Sequence, residues 1–248
     1  MTADSENDIK GLKAAGKVCA QALRLMMESA KPGMTTLELD QIGEDFLVKE
    51  GARSAPRTMY NFPGGTCISV SPVIAHGIPG DHTIQDGELI NIDVSAEMGG
   101  YYGDTGASMV VGTSRPEYEK LLEATKSALA RALSVARVGK PLNLIGKTIQ
   151  QEAAANGFNV IYDLTGHGIG RQLHEKPSAI YNYYKPEDRR TLNEGLVLAI
   201  EPFLTTGQGH VVEKPDHWSL RTVDNTIAAQ FEHTIIVTKG EPIILTMS

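Results

Sequence analysis

The sequence is poor in several features that would each mark a protein class. Only two cysteines occur in 248 residues, Cys19 and Cys67. Two cannot make a disulfide framework, so a reducing setting with both thiols free is expected. No apolar run approaches the ~18 residues that a membrane-spanning helix needs. The opening MTADSENDIK is polar and acidic, without the basic-then-apolar order of a secretory signal,. Basic residues are also short, 23 Lys and Arg against 30 Asp and Glu, and the net charge of −7 argues against nucleic acid as the main ligand,. Zinc-finger cysteine spacing, HExxH, the phosphate-binding GxxxxGK[ST] and GxSxG are all missing. The HE at 174–175 has no second histidine at the zincin interval. What remains is an ordinary globular composition, 41% hydrophobic and 21% charged, long enough to bury a large core,.

The periodicity alternates between helical and strand-like stretches. Ser5 and Asp8 have capping-box spacing and open a helix with Ile9, Leu12, Cys19, Leu23 and Met26 on one face, ended by Lys31-Pro32-Gly33,. Thr35 and Glu38 open a second, which stops at Gly51. The loop YNFPGGT follows, then the β-type runs CISVS, ELINIDVSA and GASMVVG. After Pro116 come a helix to about Val138 and another from about Leu142 to Asn156, then the β-type runs VIYDL, GLVLAIEPF, AQFEHTIIVT and PIILTM,. Helix, helix and strands thus occur twice, and residues echo the repeat. LDQIGEDF (39–46) aligns with LNLIGKTI (142–149), AHGIP (75–79) with GHGIG (166–170), GELINID (87–93) with GLVLAIE (195–201), and DTGASMVVG (104–112) with EHTIIVTKG (232–240). Four short matches in one order indicate a duplication. The expected fold class is α+β, one domain over 1–248, with pseudo-symmetric halves of about 5–113 and 114–248 and a central antiparallel sheet covered by helices.

Each half closes or opens its strands on carboxylates: Asp93 and Asp104 in the first, Glu201 and Glu232 in the second. Direct pairing of Asp93 with Asp104 across a hairpin would set the turn within EMGGYY and bring the Cβ atoms to ~5 Å. No Lys or Arg lies between them to neutralise either. Pseudo-symmetry gathers all four acids at one place, and four buried carboxylates call for divalent cations, two in dinuclear hydrolytic sites ~3.5–4 Å apart. His167, among Gly166, Gly168 and Gly170, is the best imidazole to complete such a site. His76 reads equally as a turn histidine satisfied by backbone.

At these residues the chain resembles the type I methionine aminopeptidases, members of the pita-bread (creatinase/aminopeptidase) group that also holds aminopeptidase P, prolidase and creatinase. AHGIP, NIDV followed by GDTG, TGHGIG, HEKP, AIEPF and EHTIIVT carry the likeness along essentially the whole chain. The resemblance implies that Asp93, Asp104, His167, Glu201 and Glu232 ligate two divalent ions (Co, Mn, Fe or Zn), with Asp104 and Glu232 bridging and Asp93 chelating one. It implies that His76 stands by the scissile amide, His174 by the substrate carbonyl, and Glu201 as general base. Met59, Phe62, Cys67 and Trp218 would line a methionine pocket with His76 at its edge. Phe62 stands where many relatives have Tyr, and Leu173 where they have an aromatic. The lengths fit the small type I form: about eight residues precede the first helix, and 31 positions separate Glu201 from Glu232. The implied function is removal of the initiator methionine from nascent chains with a small second residue. It would act in the cytoplasm, at the ribosome, as a monomer without membrane or nucleic-acid partners. The alternatives are an Xaa-Pro aminopeptidase and a non-catalytic peptide-binding module on the same scaffold.

Overall fold

A computed structural model describes residues 1–247. Helix α1 (Glu6–Ser29) begins at Ser5 and α2 (Thr36–Lys49) at Thr35, each through the expected reciprocal capping box. Two elements absent from the sequence reading follow: β1 (Arg53–Ser54) and the short helix α3 (Ala55–Tyr60). Their signal is Ser54 followed by Pro56. The serine side chain accepts from the Arg57 N–H, and proline is tolerated in the first turn because its missing N–H has no helical partner,. Next come β2 (Cys67–Val70), β3 (Val73–Ala75) and two eleven-residue strands, β4 (Glu88–Met98) and β5 (Tyr101–Val111).

The β4–β5 hairpin corrects the expected register. Met98 pairs with Tyr101 across a two-residue turn, so Asp93 faces Gly106 and Asp104 faces Ser95. Gly99 and Gly100 have φ of 61° and 82°. Such a turn, positive at both central residues, matches the twist of the strands and fixes the register independently of the acids. The aspartates stay on one face as diagonal neighbours, because 93 and 95 share the side-chain period of two.

The second half repeats the helix pair as α4 (Pro116–Val135) and α5 (Asn143–Ala155). Its strands are shorter and more broken: β6 (Asn159–Val160), β7 (Thr165–Gly168), β8 (Glu175–Tyr181), β9 (Val197–Ile200), β10 (Phe203–Thr205), β11 (Val211–Glu213), β12 (Leu220–Thr222), β13 (Ala228–Gln230), β14 (His233–Ile236) and β15 (Ile243–Ile244). All ladders are antiparallel, the widest ordered β15-β14-β9-β7-β8 and another holding β1-β4-β2 with β5 on β4. Helix α1 packs on β4, β5 and α2, while α4 packs on α5. The main core draws on both halves, from Met26, Leu39 and Ile92 to Leu121, Ile145 and Leu198. Both cysteines are buried and free.

The halves join where β5 runs beside the link between β13 and β14, which carries Glu232. Ala107 bridges to Phe231, the Glu232 N–H donates to the Gly106 carbonyl at 2.9 Å, and the Thr105 hydroxyl donates to the Glu232 carbonyl at 2.8 Å. Thr234 closes the seam, its hydroxyl accepting from the Asp104 N–H and donating to the Asp104 carbonyl. This joint puts the acidic positions of both halves side by side.

Candidate active site

The four acids converge with His167 on the wall of one cavity of about 390 Å³. Asp104 stands in β5, Glu232 in the adjoining link between β13 and β14, Asp93 in β4, and Glu201 just past β9. His167, in β7, has its Nε2 3.6 Å from Asp104 Oδ2 and 3.5 Å from Glu201 Oε1. One ligand atom each from Asp104, His167 and Glu232 lies within 4.8 Å of the others, and all three residues are buried. The flanking glycines are required there. A Cβ at Gly166 would meet the Ala199 carbonyl oxygen at 2.5 Å, and one at Gly168 the Lys176 carbonyl oxygen at 2.4 Å.

Hydrogen bonds aim these groups. His167 Nδ1 lies 3.0 Å from the Gly168 carbonyl oxygen, which can only accept. Nδ1 therefore carries the proton, and the Nε2 lone pair faces the acids. Ser95 donates to Asp104 Oδ1 at 2.8 Å. The fully buried Gln230 donates to Glu232 Oε2 at 3.0 Å, and Asn91 donates to Gln230 Oε1 at 2.8 Å. Two buried oxygens, Asp93 Oδ1 and Glu232 Oε1, have no partner.

Unpartnered buried carboxylate oxygens are costly. Burial pushes Asp93, Glu201 and Glu232 well above the ordinary carboxylate range, and the charge of Asp104 adds to each. Two like charges ~4 Å apart repel by ~4 kcal/mol at an effective dielectric of ~20, so full ionisation needs a positive charge. No Lys or Arg lines the cavity. Orphaned oxygens, four carboxylates and an imidazole with a free lone pair form a donor set that fits divalent cations of the Mn, Fe, Co and Zn kind.

Both further histidines line the same cavity. His76 has φ of 54°, a left-handed conformation that costs a non-glycine residue ~1–3 kcal/mol and is held by its surroundings,. Here the following Gly77 donates to Ser69 Oγ at 3.0 Å, and its carbonyl accepts from Ile68 at 2.9 Å. Desolvation lowers the His76 pKa. It also brings His174 to about 4, with His167 as the next cause. The His174 and His167 rings pack against each other, centroids 4.0 Å apart and planes tilted by 35°.

Phe62 and Trp218 meet edge to face at 5.1 Å and, with Cys67, Leu173 and Phe203, form the apolar side of the cavity. Trp218 is presented by the β11–β12 connection, where Asp216 accepts from the N–H groups of Trp218 and Ser219. Met59 does not line the cavity. It is 37% exposed, and its sulfur accepts from the Tyr102 hydroxyl. Its neighbour Tyr60 lines the cavity instead, as consecutive residues of a helix point about 100° apart,. The α3 start signal was the available clue to that geometry. Asp163, at the rim, was also missed; it accepts from the Val211 N–H and pairs with His210.

The model of metallopeptidase family M24 matches residues 10–239. The chain is 47% identical to a methionine aminopeptidase 2 of Bacillus subtilis, over 99% of both chains. It is 44% identical to a methionine aminopeptidase of Staphylococcus epidermidis, over 99% of this chain and 98% of that one. Among solved structures, the methionine aminopeptidase of Rickettsia prowazekii superposes with a TM-score of 0.95 at 37% identity, covering 100% of both. The shared fold is the pita-bread fold.

Proposed function

Because the chain belongs to metallopeptidase family M24, we propose that it is a metal-dependent methionine aminopeptidase, removing the initiator methionine from chains with a small second residue. The observation that carries this reading is the convergence of five ligand-type side chains, two further histidines and an apolar wall on one cavity. Asp93, Asp104, His167, Glu201 and Glu232 would hold two divalent ions. Such ions supply Lewis-acid polarisation and lower the pKa of water towards neutrality.

The chain's own residues do the rest. The acidic wall attracts a free N-terminal amine and repels a carboxylate at that position. The Glu201 carboxylate takes a proton from the attacking water and delivers it to the leaving amine. His174 donates a hydrogen bond to the carbonyl oxygen as negative charge develops there. His76 faces the scissile amide. Phe62, Cys67 and Trp218 hold the unbranched thioether by dispersion and sulfur–aromatic contact. The halves 5–113 and 114–248 work as one catalytic unit, a cytoplasmic monomer acting on nascent chains at the ribosome.

The test is release of free methionine from Met-Ala-Ser, measured with Mn²⁺, Fe²⁺, Co²⁺ and Zn²⁺ in turn beside an Xaa-Pro peptide. Methionine release with at least one ion is expected. Faster cleavage of the Xaa-Pro peptide, or no release with any ion, overturns the assignment.

A further inference from the structure

Tyr60 is the last residue of α3, and its hydroxyl lies 2.7 Å from His174 Nδ1. The rings are tilted at 57° with centroids 5.6 Å apart. Among the described residues neither group has another hydrogen-bond partner. The helix that delivers the phenol is firmly tied. Arg57 reaches Glu44 at 2.9 Å and the Gly64 carbonyl at 3.3 Å, and Thr58 donates to the Ser54 carbonyl at 2.8 Å. The segment bearing His174 is tied as well, with Glu175 Oε1 accepting from the N–H groups of Arg171 and Gln172. Two anchored elements thus meet through one side-chain hydrogen bond.

The chemistry of that bond is directional. A neutral imidazole has one N–H, and whichever nitrogen accepts leaves the proton on the other. A phenol at neutral pH carries its proton and donates. Donation to Nδ1 leaves the proton on Nε2, the nitrogen free to donate elsewhere. The tilted contact with His167 does not distinguish the two nitrogens, and the terminal torsion of a histidine is broad and roughly two-fold,.

We propose that Tyr60 is a positioning residue that holds His174 in the Nε2–H tautomer with that proton available to the substrate carbonyl. This rests on the role given to His174 above. The hydroxyl acts through the imidazole. Its removal costs the bias of the donor rather than the donor itself. The loss is therefore smaller than the ~10²–10³ that follows deletion of an oxyanion donor.

The test is Tyr60→Phe, which keeps the ring and its packing. With Met-Ala-Ser a fall in kcat of about 10- to 50-fold with KM within about twofold is expected. In a His174→Ala background the same substitution is expected to change kcat by less than about twofold. Ring ¹⁵N shifts of the Zn²⁺-loaded protein are expected to report Nε2–H for His174, and a mixture of tautomers in Tyr60→Phe. Wild-type kcat in the variant, an undiminished effect without His174, or an Nδ1–H tautomer in the unmodified protein each overturns the proposal. The nitrogen shifts need no substrate. If no methionine is released at all, the functional reading fails while the tautomer assignment is still decided.

Discussion

Replacing His174 by alanine removes a hydrogen-bond donor and leaves the five groups proposed as ligands in place. A loss of ~10²–10³ in kcat is expected from an oxyanion-stabilising group, with metal stoichiometry by calorimetry unchanged. Near-normal turnover would remove that role. The single residues of the site were largely legible in the sequence, because strand-end acids without basic partners and a histidine among glycines are both physically expensive. Two neighbours were not. Met59 was expected in the pocket and Tyr60 was not singled out. The six-residue helix that sends Tyr60 to the cavity and Met59 to Tyr102 is hidden in a loop-like stretch. Short helices carry too few residues for periodicity to reveal, and only the Ser54–Pro56 start gives this one away.

At the scale of elements, the long helices and their caps follow from local sequence, since capping boxes and proline at the first turn act within four residues. Strand pairing does not. The aspartates suggested a facing pair, whereas the turn set the register and left Ser95 opposite Asp104. That offset is what allows the Ser95 hydroxyl to support Asp104. The turn can be tested directly. A Cβ at Gly100 meets nothing nearer than Arg171 at 3.6 Å, so Gly100→Ala is penalised through its φ of 82° rather than by collision. A loss of about 1–2 kcal/mol in urea unfolding is expected, with little change in the denaturant slope. In the second half β9, β14 and β15 were read within longer runs, because an apolar stretch does not reveal where a ladder changes sheets, and β7, β8, β11 and β12 were not read as strands.

At the scale of the whole molecule, the acid cluster links pH, metal and stability. Asp93, Glu201 and Glu232 keep their protons to higher pH when folded than when unfolded. Below the ordinary carboxylate range both states are protonated and no penalty arises. As pH rises, the unfolded chain ionises freely while the folded cluster resists, so stability falls. His76, His174 and His233 are shifted down and act in the opposite sense, but only below about pH 6.5, where the unfolded chain begins to bind those protons,. Above the range in which those histidines titrate, the chelator-treated protein is therefore expected to lose thermal stability with rising pH for as long as the cluster still holds protons. Added Mn²⁺ should raise the midpoint more at pH 8 than at pH 6.5. Scanning calorimetry with and without chelator measures both, and a midpoint indifferent to pH and ion would contradict the account. The seam between β5 and the segment carrying Glu232 has a further consequence. Asp93 and Asp104 come from the first half and His167, Glu201 and Glu232 from the second, so the centre operates as a logical conjunction. A half-folded polypeptide would hold an incomplete set of the proposed donors. Activity is therefore expected only once both halves have folded against each other, because neither alone carries all five proposed donors.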